Sequence, residues 1–411
     1  MALKTKDAYK LINLIAEQAT GRKAITPVDT NGFVSMGNKL LELDHDSVFD
    51  AISVVMGRLF VANRPYTAKL NIINAINSGL YTNRIRKVSY YTQGALPTGA
   101  FNTDLYTNIK DGFSNNSNEG KSVAGMWEQN LSEPLEMDFS GRSAWDTSIT
   151  LPKVQLQEAF RNEASFNQFI AGMMMQKDNE IELTKEAWRR MTILSRIGAS
   201  YTMGVKDSTK HTAINLTEEF NNRYGTKYTS DELRGSHYSE FLAFFVARVK
   251  EFSAKMTNYT NMYHYTPPLT GKPEAQILRH TPYDRQRLVM YEPLLRDAES
   301  MVLPEIFHDD RLSMSNYEGV EYWQTFGSAE IDVKVEDFET GKPAEVKIPY
   351  LCGVLFDVDS VMTDFQLESA TSTPLEARKK YRNLWWTFAR NAIVDPTENC
   401  IIFYMADTKT M

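Results

Sequence analysis

The residues best placed to do chemistry in this 411-residue chain are two carboxylates spaced two apart after an apolar run, Leu355-Phe356-Asp357-Val358-Asp359. At a strand end, the first aspartate of such a pair can attack phosphorus while the second moves the proton, with Mg²⁺ held between carboxylates. That chemistry needs a doubly wound sheet around it, with a lysine and a second acidic cluster brought in by other strands. Ser360 and Val361 stand where the turn would need Gly-Thr, and only about fifty residues follow Asp359. Upstream there is no strand-helix-strand alternation to supply the missing sheet. Asp357 and Asp359 therefore read as a solvated strand end.

The other chemistry-bearing residues are dispersed. His45, His211, His237, His264, His280 and His308 include no pair at helical ligand spacing, and His308-Asp309-Asp310 reads as the polar end of a helix. There is no Gly-Lys-Ser/Thr phosphate loop, no Gly-x-Ser-x-Gly elbow and no His-Glu-x-x-His, so no metal or cofactor is expected. Met173-Met174-Met175 reads as adaptable core packing, because thioethers alone suit few metals. Trp385 and Trp386 with Arg382 and Arg390 could stack bases, but aromatic residues alternating along a strand are more often core. A net charge of −7 and a pI near 5.6 argue against a dedicated nucleic-acid binder, which carries a basic stripe.

The elements that would position these residues are legible from periodicity. Apolar residues over 8–19 recur at helical spacing, and two short apolar helices are expected over 48–60 and 70–76. Over 81–150 the pattern changes. Val88, Tyr90 and Thr92 alternate with Lys87, Ser89 and Tyr91, and Leu135, Met137 and Phe139 alternate with Glu136, Asp138 and Ser140, so two strands bracket a turn-rich tip. Such a ribbon is marginal alone in water, because one pair of strands cannot shield its own faces. A long helix follows over 163–197, marked by Phe166, Phe169, Ile170 and Met173 and continued by Ile181, Trp188 and Met191. After an Asn-rich stretch, a helix over 238–256, a proline loop, a helical stretch over 285–307 and a hairpin over 331–348 are expected. A strand with Leu384, Trp386 and Phe388 on one face then turns at Asp395-Pro396-Thr397 and returns over 400–404.

The first residues lack the unbroken apolar stretch of a secretory signal, and the longest apolar runs fall far short of the roughly 18 residues that span a bilayer. No export and no membrane partner are expected, and two cysteines as distant as Cys352 and Cys400 fit a reducing cytoplasm.

Ile149-Thr150-Leu151-Pro152 leads into Leu156 and Phe160, then Ser165-Phe166 and Phe169-Ile170. Further on, Gly353-Val354-Leu355-Phe356 precedes Tyr381, Trp385-Trp386-Thr387, Ala392-Ile393-Val394 and Ile401-Ile402-Phe403. The first stretch resembles the passage from extended loop to spine helix in major capsid proteins of tailed bacterial viruses with the Hong-Kong-97-type fold. The second resembles their closing strands, specifically those of small short-tailed phages. The resemblance covers most of the chain. It implies an α+β fold divided into an N-terminal arm (1–80), an extended loop (81–150), a peripheral domain with the spine helix (151–235), an axial domain (236–372) and closing peripheral strands (373–411). It also implies a virion shell protein, made in the host bacterial cytoplasm, that assembles with itself into hexamers and pentamers around non-specifically contacted DNA. A portal at one vertex goes with that role. The part before the loop is short and arm-like, so a separate scaffolding protein is expected.

The physical reading of the ribbon points the same way. Laying it across a neighbour makes folding and assembly mutually dependent. Tyr90, Trp127, Leu135, Met137, Phe139 and Trp145 are the expected subunit contacts, since aromatic and Met side chains are enriched at interfaces. The stretch around Met137 is expected to be unsupported within its own subunit. Two other readings compete: a portal or tail subunit of a virion, and a haloacid-dehalogenase-like phosphohydrolase using Asp357 and Asp359. The residues favour a self-binding building block over an enzyme.

Overall fold

Helix α1 (Thr5–Thr20) and helix α2 (Thr30–Glu42) are amphipathic and pack on each other, burying Ile12, Ile15 and Phe33, with the Tyr9 and Phe33 rings 6.1 Å apart. The computed structural model describes residues 5–20, 30–42, 66–75, 84–91, 133–140, 143–152, 163–267, 277–301, 317–338, 340–374, 376, 378 and 380–407. The expected helix over 48–60, the ribbon tip with Trp127, the passage through Leu156 and Phe160, most of the proline loop and His308-Asp309-Asp310 lie outside the described residues.

The helix expected over 70–76 is replaced by turns that lead into β1 (Asn74–Ala75). Its backbone amides are taken by carboxylates from distant parts of the chain. Glu182 accepts from the Ala68 amide at 3.1 Å, Glu186 from Lys69 at 3.2 Å, and Glu318 from both Leu70 and Ile72. An amide bonded outside cannot close a helical turn, and Leu70 takes a φ of 60°, outside the helical region.

Helix α3 (Glu163–Lys206) runs for 44 residues, about 66 Å at 1.5 Å per residue. It continues past the expected end at Ile197 because Gly198 and Gly204 are close-approach points and not stops. A side chain at Gly198 would collide with Val335, and one at Gly204 would come within 2.8 Å of the Ala213 backbone nitrogen. Within the methionine run Met173 is half-buried, while Met175, like Met191 further along, is 51% exposed and so is not core in the subunit. The Asn-rich stretch becomes α4 (Leu216–Tyr224), capped by the Asn215 side chain and stopped by Gly225 at φ 68°. A Thr229–Glu232 capping box then starts α5 (Ser230–Arg234). Helix α6 (Tyr238–Met256) matches the expected range.

In chain order the remaining strands are β2 (Arg84–Tyr91), β3 (Glu133–Ser140), β4 (Ser143–Pro152), β5 (Ala213–Asn215), β6 (Gln286–Tyr291) and β7 (Tyr317–Val320). They continue with β8 (Ile331–Glu336), β9 (Pro343–Ile348), β10 (Tyr350–Asp357), β11 (Val361–Ser372), β12 (Tyr381–Val394) and β13 (Cys400–Met405). One sheet has the order β1-β11-β12-β4 and a second the order β5-β13-β10-β6-β7, while β2-β3 and β8-β9 are separate two-stranded ladders. The stretch expected to be helical over 285–307 splits: Leu288-Val289-Met290-Tyr291 is a buried strand between β10 and β7, and only then does helix α7 (Glu292–Met301) begin. Four consecutive buried residues suit a strand covered on both faces, which periodicity alone does not separate from a helix.

The closing strands correct a second expectation. β13 does not return along β12; the turn at Asp395 hands the chain from the four-stranded to the five-stranded sheet, where β13 lies between β5 and β10. The five-stranded sheet and α6 form the main core, in which Phe403 sets its ring 6.2 Å from Phe245 and 5.8 Å from Phe252. The four-stranded sheet carries an aromatic group of Trp145, Phe365 and Phe388, with Phe365 and Phe388 stacked at 4.9 Å. Helix α3 joins both layers. Lys185 lies over the Phe365 ring and Trp188 donates to the Asn391 carbonyl of β12, while Ile193 and Ile197 enter the core of the five-stranded sheet.

Candidate functional site

The ribbon β2–β3 pairs in antiparallel register, Ile85 opposite Phe139 and Lys87 opposite Met137. Side chains directly opposite share a face, so Ile85, Lys87, Met137 and Phe139 lie on one side, where all are half-buried, and Arg86, Val88, Glu136 and Asp138 are exposed on the other. In β2 this inverts the expected polarity: Val88 is 42% exposed while the lysine points inward.

A buried carboxylate pair explains the inversion. Lys87 Nζ makes ion pairs with Asp395, whose side chain is fully buried, and with Glu398. Both acids sit in the turn between β12 and β13, which Asp395 shapes by accepting the Thr397 amide at 2.8 Å. Arg279 completes the socket: its Nη2 donates to Ser89 Oγ at 2.7 Å and its Nε lies 3.6 Å from Glu398. Burial works against the Lys87 charge, yet Asp395 and Glu398 hold it above the ordinary lysine value. Burial also pushes the Glu398 carboxyl up, against the pull of Lys87 and Arg279.

The socket is wired to the spine helix. Arg196 of α3 is fully buried and donates to Ser360 Oγ at 2.8 Å, Ser200 Oγ at 2.6 Å and the Glu398 carbonyl at 2.9 Å. Next to it, His264 is buried, its Nε2 2.8 Å from the Ile277 carbonyl and its Nδ1 3.0 Å from the Asn399 side chain. Burial depresses its pKa to about 4, so the folded state holds the neutral ring. The stability this gives is complete above about pH 6.5 and is lost as the pH falls toward 4, up to about 3 kcal/mol. Urea unfolding between pH 7 and 4 is expected to show that slope, and His264→Gln to flatten it; an unchanged slope in the variant would assign the acid sensitivity elsewhere.

The expected subunit contacts are placed as follows. Met137 lies with its sulfur 3.8 Å from Thr397 Oγ1, so the stretch around it is seated on its own subunit, a correction whose cause is the Lys87 socket. Trp145 packs 5.6 Å from Phe388 and 6.1 Å from Phe365 of its own sheet. Leu135 and Tyr90 stand in the ribbon ladder opposite Ser89 and Pro134. Composition could not point to Lys87, Arg279, Asp395 and Glu398, because their meaning comes from a meeting of segments hundreds of residues apart.

The Asp357 pair is likewise not a solvated strand end. Asp357 is 2% exposed, accepts the Asp359 amide at 2.9 Å and, with Asp359, binds Arg285. The two carboxylates fold the β10–β11 turn. Among the described residues no three His, Cys, Asp or Glu side chains group as metal ligands, and no helix is long and apolar enough to cross a membrane. Trp386 is buried, and Arg390 lies over the Trp188 ring at 4.7 Å, so the Trp-Arg group packs internally; Trp385 faces outward.

No curated protein sequence matches the chain. The family model for the Phi29-like phage major capsid protein matches residues 76–404, which take in the ribbon, the spine helix and every strand of both sheets but β1 and the last residue of β13. The chain belongs to that family. As a Phi29-like capsid protein it is a structural protein of the phage virion, and it self-assembles into the capsid shell. Its fold is the α+β Hong-Kong-97-type capsid fold. Superposition on a chain of the Staphylococcus phage Andhra capsid gives a TM-score of 0.51 at 11% identity, covering 84% of this chain and 86% of the other. A chain from the structure of the head fiber and inner core protein gp22 of bacteriophage P68 gives 0.48 at 11% identity, covering 83% and 85%. One from the capsid of the cyanophage P-SCSP1u gives 0.43 at 10% identity, covering 84% and 90%.

Proposed function

We propose that this capsid protein forms hexamers and pentamers that close an icosahedral shell around packaged DNA, each ribbon lying over an adjacent subunit. The observation that carries this reading is the ribbon itself: two strands whose outer face is exposed, held to the globule through Lys87, Ser89 and Met137 of the inner face. Heterologous contacts of this kind close into rings. The division into arm (1–80), loop (81–150), peripheral domain (151–235 with 373–411) and axial domain (236–372) belongs to the same proposal, with axial domains meeting at the ring centre. Contact with the neighbour falls to the outer face of the ribbon and to Tyr90, Leu135 and Trp127, while Met137, Phe139 and Trp145 have only part of their surface left for it. A separate scaffolding protein, a portal at one vertex and non-specifically bound DNA are the proposed partners, and the host bacterial cytoplasm the site of synthesis.

Electron micrographs of the purified, concentrated protein test the reading. Closed shells are expected; twelve-fold rings would favour a portal and overturn it. The protein is proposed to have no catalytic site. A phosphatase assay is expected to show no turnover that depends on Asp357, whereas activity abolished by Asp357→Asn would restore the phosphohydrolase reading. Asp357→Asn keeps the oxygen that accepts the Asp359 amide, so its stability cost is expected to stay near 1 kcal/mol in a thermal melt.

A further inference from the structure

The base of the ribbon is held by one cation in a socket built for it. Asp395 and Glu398 are both buried, and apart from Lys87 the only cation within ion-pair distance of either, among the described residues, is Arg279, 3.6 Å from Glu398. Asp395 reaches no other cation in that set. If the ribbon left the socket, two buried carboxylates would share one distant guanidinium, an arrangement that buried ion pairs penalise strongly when one partner is removed. The ion pairs therefore favour the seated ribbon over an empty socket.

We propose that Lys87 is a positioning residue for assembly: seated between Asp395 and Glu398, it fixes which face of the ribbon turns outward and at what angle the ribbon leaves the globule. This rests on the reading of the ribbon as the contact to the next copy. The face it holds inward carries Ile85, Met137 and Phe139; the face it turns outward carries Val88 among Arg86, Glu136 and Asp138, where Arg86 pairs with Asp138 at 3.0 Å and with Glu136 at 3.1 Å. A strand's side chains alternate between faces, so a one-residue slip would exchange the two sets, and a lysine that finds its partners on one side only forbids the slip. The second anchor agrees. Arg279 bonds Ser89, two residues along the same face, so two cations and two acids pin two successive inward positions. Through the Glu398 carbonyl and Ser360, Arg196 ties this socket to helix α3, so the ribbon is referenced to the longest rigid element of the subunit.

The test uses full-length protein in which both acids and both cations of the socket are neutralised as a set, Lys87→Met and Arg279→Met with Asp395→Asn and Glu398→Gln, so that no charge of the socket is left alone and the globule can fold. Lys87→Met alone is the companion variant. Hydrogen exchange is read on the subunit and shell shape by electron microscopy. In the fully neutralised variant the amides of β2 and β3 are expected to exchange at least tenfold faster while β10 and β13 keep their protection, and assembly is expected to give open or irregular forms. Ribbon amides as protected as in the wild type would overturn the clamp, and uniformly closed shells with a loosened ribbon would overturn its role in assembly. A wild type that forms no shells would instead remove the reading of the ribbon as a contact. That failure is distinguishable, because exchange is measured before any assembly.

Discussion

Without residues 94–130 the protein is expected to remain a folded subunit and to stop forming closed shells. The deletion brings Thr92 and Gln93 against Leu131 and Ser132, a four-residue connection between the ends of β2 and β3, which hairpins accommodate. The socket around Lys87 is untouched, so the ribbon base should stay seated. Losing about 3 kcal/mol of contact per neighbour lowers each association step about a hundredfold, and closure requires many such steps. Sedimentation and electron microscopy would then show subunits or small oligomers, with circular dichroism unchanged. Normal closed shells from the shortened protein would show that the ribbon is not the assembly contact.

Phe403→Ala is expected to cost about 3–5 kcal/mol, because its ring is fully buried between Phe245 and Phe252 and the cavity cannot collapse against a central strand. Against a total stability of roughly 5–15 kcal/mol this is a large fraction, and the melting temperature should fall by about 10 °C. Phe326→Ala is the matched control: that ring is 78% exposed, and its loss should stay within about 0.5 kcal/mol. Equal losses from the two substitutions would contradict the placement of the core. The Phe403 variant should also assemble poorly at 37 °C, since unfolded subunits are withdrawn from the pool that forms shells.

What the sequence made legible were elements defined by their own period. The ribbon strands, α6 and the β8–β9 hairpin could be read from alternation or helical spacing, because each has two faces of different burial and the period of its own residues shows it. What escaped it depends on distant partners. The amides of 68–72 are claimed by Glu182, Glu186 and Glu318, so a locally helical pattern gives turns. Gly198 and Gly204 look like helix breakers until Val335 and Ala213 are brought against them. The apolar face of β2 could not be told from its polar one, because the decisive inward residue is a lysine whose counter-charges lie beyond position 390. For the same reason the Asp357 pair suggested chemistry: a carboxylate used to fold a turn with Arg285 has the same one-dimensional signature as one used to attack a substrate.

Strand β13 lies between β5 and β10, and of the five strands in that sheet it is the last to be synthesised. Until the ribosome has passed residue 405, the strand that carries Phe403 is missing and α6 has only part of a surface to cover. Closing the sheet must then wait for contacts between remote parts of the chain, which form slowly. The socket for Lys87 comes from the turn just before β13, so the ribbon cannot be seated before residues 395–398 are available either. The order of synthesis thus sets the order of completion: the subunit has no finished core or seated ribbon to offer another copy until residue 405 is available to fold.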